Sequence, residues 1–318
     1  MKPQISEFSY GFALTNELVA WEELSAAPVF PSLLEEGRPG GGYDVKLERP
    51  GVPLYLQFKR SEFLTRRSGR EARELALRGQ QIGIPYYRFA ITEDTLSQQH
   101  EMLVALDVAP NFVFYAAPRF HRLDEINDAW HANAVASRSQ FVAPHQIGLL
   151  PTGKHTVAFD GSRFWVCSEP RSIEGLNSRQ LADKLRDAVK ADDRPFGEKL
   201  PELAQELASA EERGRGLIAE RRRRNEEERA AAWRKRLFEI GGPYPGLETE
   251  PPQPIPRAFR PELTDDEDYG AVLETPEPAP VALRTPKPLT PERRLLREVA
   301  DRAARSFDCQ LVIVQPHE

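Results

Sequence analysis

The chain has 318 residues, 40% of them apolar and 29% charged, with a formal charge of −6, which excludes a short peptide and a wholly disordered polymer. No run approaches the ~18 consecutive apolar residues of a membrane span, and MKPQISEFSYGF has neither a basic nor an apolar leader region, so a cytoplasmic protein with no membrane partner is expected. Cys167 and Cys309 lie far apart, without disulfide-framework or zinc-ligand spacing, and read as reduced, inert thiols.

Phe12, Leu14, Leu18, Trp21 and Leu24 recur near helical spacing and predict a helix over 12–24. After the turn-forming EEGRPGGG, the runs YDVKLER and PLYLQFKR have strand character, and Pro50-Gly51-Val52-Pro53 between them predicts an antiparallel hairpin. A helix over 70–81 and a strand at YYRFAIT follow. Next come a helix over 94–107, a strand at NFVFYAA, a helix over 123–132 and strand-like runs at SQFVAP, HTVAFD and RFWVCSE.

Asn177 is placed to cap a helix SRQLADKLRDAVKA. Residues 198–240 carry eleven basic and ten acidic side chains with sparse apolar residues, which predicts a solvated helical arm. From 241 to 291 the chain holds 13 of its 28 prolines, the composition of an extended linker. Thr290-Pro291 then starts a helix, and CQLVIVQP follows as a strand. That last unit either folds back on the body or adds a strand to a partner, and the first is favoured because an exposed LVIV edge aggregates.

The net charge hides an uneven distribution. Residues 59–88 hold eight basic side chains against three acidic, whereas residues 244–281 hold two against nine. A basic face therefore accompanies an acidic tract.

The chemistry concentrates in the first sixty residues. In PLYLQFKR, Tyr55, Gln57 and Lys59 share one face and Leu54, Leu56 and Phe58 the other, since strand side chains alternate. The apolar face is expected to pack inward, and the hairpin to bring Asp44 within reach of Gln57 and Lys59, with Glu17 approaching from the preceding helix. Acid and amide oxygens beside a lysine suit metal-assisted phosphodiester hydrolysis.

At GGYDVKL and LYLQFKR the sequence resembles the PD-(D/E)XK restriction-endonuclease-like superfamily, most closely its Mrr-type branch, in which glutamine takes the second acidic position. The resemblance covers residues 7–91 and implies an α/β fold with an α-β-β-β-α-β core, extended here by further α/β elements. The activity it implies is that of a Mg²⁺- or Mn²⁺-dependent DNA endonuclease of bacterial defence or DNA repair. By the same resemblance Asp44 and Gln57 are metal ligands, Lys59 is the catalytic lysine and Glu17 an auxiliary acid. Arg60, Arg66, Arg67, Arg70 and Arg73 adjoin that site and are expected to meet DNA phosphates. The other reading is a catalytically inactive scaffold that keeps the fold and binds a protein partner through the charged arm or the C-terminal unit.

The expected organisation is a nuclease-like core at 1–91, added α/β elements at 92–176, a charged arm at 177–240, an acidic Pro-rich linker at 241–289 and a helix-strand unit at 290–318. Gly148-Leu-Leu-Pro-Thr-Gly153-Lys154-His155 approaches a P-loop, but His155 stands where Ser or Thr is needed and Pro151 removes an N–H, so a turn between strands is expected.

Overall fold

The computed structural model describes residues 1–21, 24–29, 45–66, 69–161, 163–239 and 290–317. It divides into two units, Met1–Glu220 with Leu289–Glu318, and Arg221–Pro288. The elements are α1 (Glu7–Val19), β1 (Leu24–Pro28), β2 (Val52–Phe58), β3 (Glu62–Leu64), α2 (Arg70–Leu77), β4 (Tyr86–Ile91), α3 (Gln99–Leu106), β5 (Phe112–Pro118), α4 (Leu123–His131) and β6 (Ser139–Val142). There follow α5 (Pro144–Ile147), β7 (His155–Phe159), β8 (Phe164–Val166), β9 (Arg171–Ile173), β10 (Leu176–Asn177), α6 (Ser178–Ala191), α7 (Phe196–Glu239), α8 (Pro291–Phe307) and β11 (Gln310–Pro316). The fold is mixed α/β.

A six-stranded sheet runs β1-β11-β2-β5-β6-β10, and a five-stranded sheet runs β3-β4-β7-β8-β9. In the larger sheet β2 and β5 are parallel, joined by a crossover through α2, β4 and α3, while β11 is antiparallel to both β1 and β2. Both faces of this sheet are covered. Leu54, Leu56, Phe114, Val312 and Val314 pack with α1, α4 and α6, whereas Tyr55, Val113, Tyr115, Leu311 and Ile313 pack with α3, α7, α8 and the second sheet. Two-sided burial is why LYL, FVFYAA and LVIV read as continuous apolar runs. Each fully buried Leu, Ile or Val of β11 contributes about 1.5–3 kcal/mol by removal from water.

The antiparallel hairpin expected between 43–49 and 53–60 is not formed. Residues 45–49 make a turn, and both edges of β2 are taken, by β11 and β5. Gln315 holds this turn through Lys46: its Oε1 accepts from Lys46 N–H at 3.0 Å, and its Nε2 donates to the Lys46 carbonyl at 2.9 Å. The start of α7 adds Phe196 N–H to Arg49 O at 2.7 Å and Gly197 N–H to Leu47 O at 2.8 Å. Backbone groups that a hairpin would have paired are satisfied elsewhere.

α1 begins at Glu7 rather than residue 12, because Ser6 caps it, its hydroxyl accepting from Ser9 N–H at 2.9 Å. Phe12 is consequently exposed, while Tyr10, Leu14 and Leu18 are buried. A Cβ on Gly11 would lie 2.6 Å from the Phe58 ring, so only glycine lets α1 settle on the end of β2. The first strand is Leu24–Pro28, so Leu24, the last residue of the expected helix, opens a strand instead.

α6 matches its expected span, with Asn177 Oδ1 accepting from Gln180 N–H at 2.9 Å. The packed body extends further than a charged arm from 177 would allow: Leu181, Leu185 and Val189 of α6 are buried, as are Phe196, Leu200, Leu203, Leu207 and Ala210 of α7. These α7 residues follow a 4-3-4-3 spacing, a short apolar stripe that the surrounding charges conceal. The 241–289 linker lies outside the described residues. Of the two placements open to the C-terminal unit, folding back is found: β11 enters the middle of the sheet.

Candidate active site

Lys59 follows the last residue of β2, and its N–H continues the ladder to Ala116 O at 2.8 Å. Its side chain does not enter solvent. The residue is 5% exposed, and its Nζ lies 5.5 Å from the centre of the Tyr115 ring and donates to Gln99 Oε1 at 3.4 Å. Burial lowers its pKa, opposed by the negative fields of Glu7 and Asp308.

Three elements distant in sequence build this surrounding. Glu7 stands in the first turn of α1, one turn before Gly11. Gln99 opens α3 and donates through Nε2 to Asp308 Oδ2 at 2.7 Å and to the Asp308 carbonyl at 3.2 Å. Asp308 caps the C-terminus of α8 in the left-handed region, φ 49°, which Asp tolerates better than most residues. Burial raises the pKa of its carboxyl while Lys59 lowers it.

Behind Lys59 the Tyr115 hydroxyl meets His100 Nδ1 at 2.9 Å, and His100 Nε2 meets Gly148 O at 2.7 Å. A carbonyl only accepts, so Nε2 carries the proton and Nδ1 accepts from the phenol. Burial pushes His100 down to about 4, so the imidazole is neutral at pH 7 and this chain is a fixed support.

Lys59 lines a cavity of about 620 Å³ together with Lys2, Glu7, Arg60, Glu62 and Arg88. Gln57, 8% exposed, lines a second cavity of about 700 Å³ with Asn16 and Asp308, and Glu7 lines both. Gln57 Nε2 is 3.5 Å from the Phe58 carbonyl. Arg88 is held by Glu62 at 2.6 Å and by Glu71.

Glu17 is not brought to this place. Its carboxylate accepts from Val135 N–H at 2.6 Å and holds the turn between α4 and β6, ten residues and about 15 Å of helical rise from Glu7. Burial raises its pKa, and hydrogen bonds from Ala136 and Val135 lower it. Asp44, Arg67 and the side chain of Arg70 lie outside the described residues; Arg60, Arg66 and Arg73 are exposed. Gly148–His155 is a turn into β7, with His155 bonded to Ser168 Oγ and Pro151 O.

The amide of Gln57 and the carboxylates of Glu7 and Asp308 are hard oxygen donors of the kind Mg²⁺ takes. Among the described residues no three His, Cys, Asp or Glu side chains gather to hold a metal ion. A complete set therefore needs an oxygen from a further residue, and Asp44 is the sequence's candidate. Glu7, Gln99 and Asp308 escaped the sequence reading. The Ser6 cap signals that α1 starts at Glu7, but nothing local points Asp308 towards Lys59 across about 250 residues of sequence.

Compared with known proteins, the chain matches no family model, no curated protein and no solved structure. No helix among the described residues is long and apolar enough to cross a membrane.

Proposed function

We propose that this chain hydrolyses phosphodiester bonds of DNA, with a restriction-endonuclease-like arrangement in its larger sheet. What supports the reading is one observation above the rest: a lysine 5% exposed, its pKa lowered by burial, at the carboxyl end of β2 beside parallel β5 and at the wall of a cavity lined by charged residues. Ligands in α/β sheets favour such strand ends.

Lys59, drawn towards its neutral form, accepts a proton from the attacking water at Nζ, and Glu7 and Asp308 stabilise the ammonium that results. Gln99 fixes Nζ by holding Asp308 at the same time. Asp44 and Gln57 would hold a divalent cation, which when bound supplies Lewis acidity at a phosphate oxygen and lowers the pKa of a water. Arg60 at the cavity wall offers charge to a phosphate oxygen, and Arg66 and Arg73 extend that positive surface.

The test is cleavage of supercoiled plasmid and linear duplex with Mg²⁺ or Mn²⁺, comparing the native chain with Lys59→Ala and Asp44→Ala. Loss of cleavage in both variants is expected. Cleavage that survives both substitutions overturns the assignment. The neutral ligand at Gln57 favours a second reading, a nuclease-like scaffold without activity, since an amide holds a cation more weakly than a carboxylate; absence of cleavage by the native chain with DNA binding retained selects it.

A further inference from the structure

A second cationic cluster lies outside the Lys59 site. Arg119 follows β5 and Arg138 precedes β6, and the N–H of Arg119 donates to Arg138 O at 2.7 Å, so the two stand opposite each other at the end of the β5–β6 ladder. Arg119 Nη2 donates to Ser137 O at 3.1 Å and Arg138 Nη1 to Glu125 O at 3.4 Å, while the Arg138 guanidinium rests 5.3 Å from the Phe120 ring centre. Among the described residues neither guanidinium forms an ion pair, and Arg119 Nε is buried with no hydrogen-bond partner. Their neighbours differ: Arg122 pairs with Asp124, and Arg163 with Asp160.

Both arginines line a cavity of about 290 Å³ with Pro85, Tyr87, Asp160 and Gly161. The carboxylate there is already engaged, since Asp160 Oδ2 takes Gly83 N–H at 3.0 Å and Arg163 at 2.9 Å. Gly161 has φ 102°, and a Cβ on it would approach Arg119 Nη1 to 3.3 Å, so the bare backbone leaves the guanidinium its room. Guanidinium groups without carboxylate partners are matched to phosphate oxygens, which they bind in a forked, two-bond geometry.

This cluster and Lys59 stand at the same end of the larger sheet, past the carboxyl ends of β5 and β2. Phe58 is level with Ala116 on parallel β5, so Arg119 lies one strand over from Lys59 and about two residues further on. With strands ~4.8 Å apart and a rise of ~3.3 Å per residue, the Cα separation is about 8 Å, which covers roughly two phosphates at ~3.4 Å of axis per charge. Resting on the nuclease reading above, we propose that Arg119 and Arg138 grip backbone phosphates of the same nucleic-acid strand whose scissile bond lies at Lys59, with the Tyr87 hydroxyl as an added donor.

The experiment is fluorescence anisotropy of the full chain with a labelled single-stranded oligonucleotide and its duplex, over a salt series. The Arg119→Ala/Arg138→Ala pair is expected to bind about tenfold or more weakly and to lose roughly one to two units of the log K against log salt slope. The Arg119→Lys/Arg138→Lys pair is expected to keep the slope and lose affinity, because charge remains and the fork does not. Arg215→Ala, which removes an exposed arginine of α7 already paired with Glu211, is expected to bind as the native chain does. If the native chain binds with the expected slope loss in the alanine pair yet never cleaves, this site stands and the nuclease reading falls. Equal affinity and slope in the native chain and the alanine pair, or no binding by the native chain at low salt, overturns the site. Should the alanine pair fail to fold, native affinity in the lysine pair overturns it.

Discussion

Lys59 and Arg88 line the same cavity and carry the same charge, yet they are held in opposite ways. Arg88 is clamped by Glu62 and Glu71, and these partners outweigh burial to raise its pKa. Lys59 has an amide for its nearest partner, with Glu7 and Asp308 acting on it only through their fields, and burial prevails. A cation with its own carboxylates is a brace for β3, β4 and α2. A cation buried with a neutral partner is costly to keep and is able to exchange its proton, which is the condition of a reactive lysine.

The largest expected effect separates the two in activity. Lys59→Ala is expected to lower cleavage by ~10²–10⁴-fold, the usual contribution of a general acid or base, while Arg88→Met leaves measurable cleavage; equal losses in a plasmid assay would erase the distinction. In stability the order reverses. Arg88→Met, which leaves two carboxylates without their partner, is expected to cost about 1–3 kcal/mol by urea unfolding.

The two glutamates of α1 sharpen the same contrast. Glu17→Ala orphans the Val135 N–H and is expected to cost about 1–3 kcal/mol, whereas Glu17→Gln keeps an acceptor and costs less, and neither changes the pH profile of cleavage. Glu7→Gln removes a field that raises the Lys59 pKa, so the acid limb of the pH–rate profile is expected to move to lower pH. An unmoved limb would disconnect Glu7 from Lys59.

The smallest effect is a slope. Because the folded pKa of Lys59 is depressed, the unfolded chain binds the extra proton between that value and the ordinary 10.5, so this group's cost to folding is full below the folded pKa and fades as pH rises through it. Lys59→Met is therefore expected to raise the melting temperature at neutral pH, with the advantage shrinking towards pH 10.5. A constant difference across that range would show that Lys59 is not desolvated.

Much of the secondary structure was legible locally. Asn177 announced α6, Thr290-Pro291 announced α8, the runs NFVFYAA and LVIV were strands because two-sided burial demands unbroken apolar sequence, and YYRFAIT was one through its aromatic weight. The hairpin was misread because YDVKLER alternates like a strand, and alternation does not reveal that both edges of β2 are already occupied. The stripe Phe196-Leu200-Leu203-Leu207-Ala210 was hidden by dense charge on the other faces of α7.

Lys59 and Gln57 were singled out in the sequence because they share one face of a strand with a readable period. Which carboxylates face Lys59 was not, since periodicity orders neighbours within one element and is silent about elements that meet after folding. Glu7 comes from the start of the chain and Asp308 from its end, and only the insertion of β11 between β1 and β2 brings the second to the carboxyl end of β2. The sequence by itself determined that Lys59 would close a strand on the same face as Gln57; that the strand is central and the lysine buried came from the structure. Tertiary packing alone decided its partners, because desolvation and charge fields depend on distance through space and not on position along the chain.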